Sequence, residues 1–183
     1  MPSHDSSTPT LYPGARRIIR LSESEAGAEI VVDHWQRLRD DEPYPSLAAL
    51  PVLVSLARAE AEREQLDARA GEWGVWLPGE AEPEQVAERV RALPVLAIEV
   101  PKFTDGRHFT LARLLRERYA FEGDLRAFGN VLPDQLFYMR RCGYSSFELQ
   151  AGKSLETGLR TLRGFTVTYQ GGADDPRPLY RRR

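Results

Sequence analysis

Lys102, Asp105 and Arg107 fall within six residues of one another in the stretch Val-Pro-Lys-Phe-Thr-Asp-Gly-Arg, Val100 to Arg107. Two cations and a carboxylate at that spacing can grip an anion or orient a carbonyl group, and Gly106 permits a tight turn. The same residues also suit a solvated polar loop whose Asp-Gly pair makes the turn. Asn130 and Gln135 are the next candidates, amides able to hydrogen-bond a ligand beside Lys102. Asp134 sits in the first turn of the following helix, where free backbone amides stabilise a carboxylate whatever the function.

Other reactive types are sparse. Cys142 follows Arg140 and Arg141, cations that can lower a thiol pKa, while a lone Cys on a packed helix ordinarily serves as a small core residue. His4, His34 and His108 are scattered, with no spacing that outlines a metal site. The chain has no Gly-x-x-x-x-Gly-Lys-Ser/Thr loop, no Gly-x-Gly-x-x-Gly turn, no Gly-x-Ser-x-Gly elbow and no Cys-x-x-Cys. No cofactor is evident from motifs.

The elements that must position these residues follow a rhythm. Val95–Val100 is a nearly unbroken apolar run, as expected of a strand covered on both faces. Phe109–Tyr119 places Leu111, Leu114 and Leu115 on one helical face. Leu125–Gly129 then Leu132–Cys142, and Ser145–Leu149 then Leu155–Leu162, repeat the pair. Upstream, Trp73–Leu77 reads as a strand and Pro83–Leu93 as a helix, and Leu50–Ala70 reads as one long helix begun near Pro51 and stopped at Gly71. Ile18–Leu21 and Glu29–Val32 are short β-branched runs that could pair with each other. The expectation is an α/β protein of βα repeats with a small parallel sheet of about four to five strands, as an open sheet or a partial barrel. Its strand-to-helix loops, Pro78–Glu80, Pro101–His108, Gly129–Asn130 and Ala151–Lys153, should share one edge.

Residues 1–14 are Ser/Thr/Pro-rich and read as a disordered arm, residues 15–164 as a single domain, and 165–183 as an extended C-terminal tail. The tail ends in Tyr180, Arg181, Arg182 and Arg183, candidates for docking on an acidic partner. At 183 residues, 42% hydrophobic and 28% charged, the chain fits one soluble domain. A net charge of −2 argues against a nucleic-acid-binding surface spread over the whole domain. The single cysteine excludes an internal disulfide framework, and no run reaches the roughly 18 apolar residues of a membrane span. A cytoplasmic protein is expected.

Pro101-Lys-Phe-Thr-Asp-Gly-Arg107, Ala112-Arg-Leu-Leu-Arg-Glu-Arg118, Asp134-Gln-Leu-Phe-Tyr138, Arg141-Cys-Gly143 and the closing Pro178-Leu-Tyr-Arg-Arg-Arg183 resemble the bacterial family called domain of unknown function 934. The resemblance runs from Trp73 to Arg183. Members of that family are labelled as oxidoreductases of sulfite reduction, because their genes lie beside those of sirohaem-dependent sulfite or nitrite reductase. Where the family usually has Gly this chain has His108, and Asn130 stands where Asp is usual. An amide does not titrate, which argues against a catalytic carboxylate at that position.

The resemblance implies an accessory protein of assimilatory sulfite or sulfate reduction. It would assist a sirohaem-dependent reductase through an anion-binding rim of Lys102, Asp105, Arg107, Asn130 and Gln135. The alternative is a stand-alone oxidoreductase acting on a small anionic substrate at the same rim, with Lys102 binding substrate and Asp105 as base. Neither expectation involves nucleic acid or a membrane.

Overall fold

The computed structural model describes residues 16–22, 27–164 and 168–181. The N-terminal arm expected over residues 1–14, and Arg182 and Arg183, lie outside the described residues. Among the described residues eight strands, accompanied by helices, form one sheet: β1 (Arg16–Leu21), β2 (Ala28–Asp33), β3 (Gln36–Arg37), β4 (Val52–Ser55), β5 (Trp73–Leu77), β6 (Val95–Val100), β7 (Asp124–Gly129) and β8 (Ser146–Phe147). Six α-helices accompany them: α1 (Leu56–Ala61), α2 (Arg63–Asp67), α3 (Pro83–Val90), α4 (Arg107–Glu117), α5 (Leu136–Arg141) and α6 (Leu155–Arg163). The sheet therefore has more strands than the four to five expected. Two of them lie where no strand was expected: β3, two residues long, leaves no periodic signal, and β4 falls within the helix expected over Leu50–Ala70.

The strand order is β2-β1-β8-β7-β6-β5-β4-β3. Strands β3 to β8 run parallel, whereas β1 pairs antiparallel with both β2 and β8. The pairing proposed between the two N-terminal runs is present, with Ile18 opposite Val31 and Ile19 opposite Ile30. The strands β2 and β3 lie at opposite ends of the order, yet only His34 and Trp35 separate them along the chain. Three Cα steps span at most about 11 Å, so the sheet curls into a half-barrel whose edges are linked through this segment.

The long helix expected over Leu50–Ala70 is a strand followed by two short helices. Val52, Leu53 and Val54 are buried between β3 and β5, and a both-faces-covered position selects extended backbone over the Ala/Glu/Arg-rich helical tendency that follows. The chain turns helical where Ser55 caps α1 by accepting a hydrogen bond from the Arg58 amide at 3.1 Å, while its hydroxyl donates to Asp40 at 2.5 Å. Ser55→Ala should cost about 1 kcal/mol, measured as a shift in the urea unfolding midpoint. The helix is interrupted at Glu62, whose carboxylate accepts from the Tyr44 hydroxyl and from Arg58 Nε.

The two faces of the sheet differ in chemistry. One carries Val54, Val75, Leu96, Ile98 and Leu125 into the main core beneath the helices. The inner face holds a smaller cluster of Trp35, Leu53, Val95, Ala97 and Phe128. Beside it lies a charge network. Asp33, 2% exposed, accepts two bonds of 2.9 Å from Nη1 of Arg126, which is 1% exposed. Arg126 also donates to Ser146 and to Asp124 at 3.1 Å each. Nearer the strand ends, Glu148 receives Arg16 at 2.7 Å and Arg37 at 3.0 Å. Since β3 and β8 are far apart in the sheet order, the Arg37–Glu148 pair spans the inside of the curl.

Candidate functional site

The loop after β6 is built by its own hydrogen bonds. The Asp105 amide donates to the Lys102 carbonyl at 3.0 Å, closing the turn. The Asp105 carboxylate accepts from the Arg107 amide at 3.1 Å, from Nε at 3.0 Å and from Nη2 at 2.6 Å. These bonds, the guanidinium first and then the amide, hold the Asp105 carboxyl down at about 2. A carboxylate so tied is a weak proton acceptor at neutral pH.

Asn130 and Gln135 reach the same loop and brace it. Asn130 Nδ2 donates to the Pro101 carbonyl at 2.6 Å, and Asn130 Oδ1 accepts from Gln150 at 3.1 Å. Gln135 Nε2 donates to the Phe103 carbonyl at 3.1 Å, while its Oε1 is buried with no partner. Gly129, with φ of +95°, turns the chain out of β7 to present Asn130, and a Cβ there would meet the Val100 carbonyl oxygen at 2.7 Å. The five residues singled out at this rim are thus brought together around one loop. Lys102 is exposed with no ion pair among the described residues, next to Phe103, which is 62% exposed. Arg107 is exposed too, but its charge is shared with Asp105 and, at 4.0 Å, with Glu80.

His108 stands one residue further on and turns inward. It is fully buried, with Nδ1 at 3.1 Å from the Tyr144 hydroxyl. That hydroxyl also lies 3.2 Å from the His108 carbonyl, and Nε2 is buried without a hydrogen-bond partner among the described residues. Burial lowers His108 to about 4, against a weaker opposing pull from Asp105. Cys142 is likewise buried, and burial raises its thiol pKa, so the thiolate is not favoured despite the adjacent arginines.

The C-terminal segment docks at the far end of α5. The Ala173 amide donates to the Arg141 carbonyl at 2.9 Å, and Asp174 lies 3.5 Å from Arg140 and 3.6 Å from Arg141. Beyond it a short 3-10 turn, Leu179–Arg181, leaves Tyr180 and Arg181 exposed. Tyr180 and Arg181 are thus separate from the Lys102 loop, which α5 approaches with its N-terminal side through Gln135.

A second cluster occupies the mouth of the half-barrel, at the carboxyl ends of β5, β6 and β7. There a cavity of about 350 Å³ is lined by Arg37, Arg39, Glu42, Trp76, Glu99 and Phe128. Register places Glu99 beside Phe128, and the Arg37 guanidinium stacks 3.9 Å from the Phe128 ring centre. Trp76 packs edge-on against Phe128 at 6.4 Å and anchors its indole N–H on the Leu38 carbonyl at 3.1 Å. Sequence reasoning missed this cluster. Its available signal was Glu99, a lone carboxylate inside an apolar strand run.

Curled sheet, helices and charged mouth define a mixed α/β half-barrel protein with a charged cavity at the carboxyl edge of the parallel strands. Residues 74–180, more than half of the chain, match the bacterial proteins of unknown function DUF934, and the chain belongs to that family. No curated protein and no solved structure matches it. Among the described residues no group of acids, histidines and cysteine is arranged to hold a metal ion, and no helix is long and apolar enough to cross a membrane.

Proposed function

We propose that this protein is an accessory factor of assimilatory sulfite and sulfate reduction, assisting a sirohaem-dependent reductase through the anion-binding rim around Lys102. The observation that carries this reading is the Lys102 ammonium, exposed and without an ion pair among the described residues, on a loop that Asn130 and Gln135 hold in shape. A braced loop presents its cation without first having to be ordered, which lowers the entropic cost of binding. Sulfite and the carboxylates of sirohaem are anions that such a cation accepts. Arg107 can join only by giving up part of its fork with Asp105, so Lys102 is the principal contact.

The test is co-elution of the purified protein with sirohaem-dependent sulfite reductase of the same source, alongside sulfate-dependent growth. Lys102→Ala with Arg107→Ala should weaken the complex roughly tenfold and slow growth on sulfate. Unchanged complex and growth would overturn the reading. Both residues are exposed, so loss of fold does not confuse the result.

A further inference from the structure

The cavity at the mouth of the half-barrel is a different place with different chemistry from the Lys102 loop. Glu99 is the only charged residue of β6, which is otherwise buried Val, Leu, Ala and Ile. Half-buried, it has no hydrogen bond or ion pair among the described residues. Removing a carboxylate from water without compensation is costly, and a Val or Leu would fill that strand position at no such cost. Opposite it, Arg37 spends one nitrogen on Glu148 and one face on Phe128, leaving Nε and Nη2 without partners among the described residues. Arg39 adds a second, exposed guanidinium to the same lining, and Glu42 a second carboxylate.

The charges are close but not mutually satisfied. Glu99 and Phe128 are direct cross-strand neighbours, about 5 Å apart at Cβ, and Arg37 lies over that same ring. Yet Arg37 pairs with Glu148 and not with Glu99. Trp76 lines the same cavity, fixed in orientation by its indole bond to the Leu38 carbonyl.

We infer that this cavity binds a small zwitterion of amino-acid type, its ammonium on Glu99, its carboxylate on the free nitrogens of Arg37 and Arg39, and its side chain against Trp76. A plain anion would meet the carboxylates of Glu99 and Glu42, and a plain cation would meet both guanidiniums. A molecule carrying both charges satisfies each side, and a cavity of about 350 Å³ has room for one of that size.

The experiment follows the Trp76 indole N–H resonance of the full chain, assigned with Trp76→Phe, during titration with three matched probes: L-leucine, isocaproate, which lacks the ammonium, and isoamylamine, which lacks the carboxylate. L-leucine should shift the resonance saturably at concentrations up to about 20 mM, with the other two at least tenfold weaker. Glu99→Gln, which preserves shape, should weaken L-leucine about tenfold without weakening isocaproate, and Arg39→Gln should weaken L-leucine and isocaproate but not isoamylamine. Equal response to the three probes, no shift with any of them, or L-leucine binding indifferent to Glu99→Gln would each overturn the inference. The Lys102→Ala, Arg107→Ala protein should bind L-leucine as the parent does, which separates this site from the rim.

Discussion

Arg126→Ala should lower the unfolding free energy by roughly 3–5 kcal/mol, the range for stranding one partner of a buried ion pair. Arg126 is held by Asp33, Asp124 and Ser146, and Asp33 is 2% exposed. Once the guanidinium is gone, Asp33 retains among the described residues only the Trp35 amide at 3.2 Å and a looser Arg16 at 3.8 Å. Its charge is then stranded inside the curl. The loss should appear as a large fall in the urea midpoint. Arg126→Met combined with Asp33→Asn removes the stranded charge and should recover about half of the loss or more. If Arg126→Ala leaves the midpoint where it was, the network does not hold the inner face together.

The second large effect is a pH dependence carried by His108. Its folded pKa of about 4 lies below the ordinary 6.5 because burial disfavours the imidazolium, whose Nε2–H would find no hydrogen-bond acceptor among the described residues. Between these two values the unfolded chain binds the proton and the folded chain does not. Stability should therefore fall as pH drops from about 6.5 to about 4 and lose nothing further from this group below that, for a total loss of roughly 3 kcal/mol. His108→Asn should flatten that slope relative to the parent chain when urea midpoints are compared across the same window. Parallel pH profiles for the two proteins would show that His108 contributes nothing to it. Asp105, held at about 2 in the folded chain, begins to cost stability near the acid end of this window, but it does so in both proteins and the comparison removes it.

What could be read from residues alone was whatever local pattern dictates. The apolar run of β6, broken only by half-buried Glu99, is buried on both faces, and the amphipathic stretch after it became α4 with Leu111 and Leu115 inside. The loop between them, with Asn130 and Gln135 beside it, was visible as a place where polar groups gather, and the structure does gather them. It shows in addition that both amides donate to loop carbonyls. What sequence could not convey depends on curvature. Strand β4 hides beside a helix-forming run because only its neighbours β3 and β5 hold it extended. Arg37 and Glu148 are unremarkable at their own positions and meet only because the sheet curls. The mouth cavity follows from that curl, so neither Glu99 nor Trp76 could be placed in it from spacing.

The linkage of β2 to β3 through His34 and Trp35 sets an order of assembly. Strands β1 to β3 leave the ribosome first, but Ile19 pairs with Phe147 of the last strand to be made. The early hairpin must wait, its open edge unpaired, until nearly the whole domain has been synthesised, since such distant pairings are the slow ones in folding. The region shared with the family begins at residue 74, downstream of that hairpin. A chain trimmed to the shared region would expose the edges of β5 and β8 as unpaired templates, ready to join other copies. The strands made before residue 74 thus close like a late clasp over the two edges, β5 and β8, that the shared region alone would leave open.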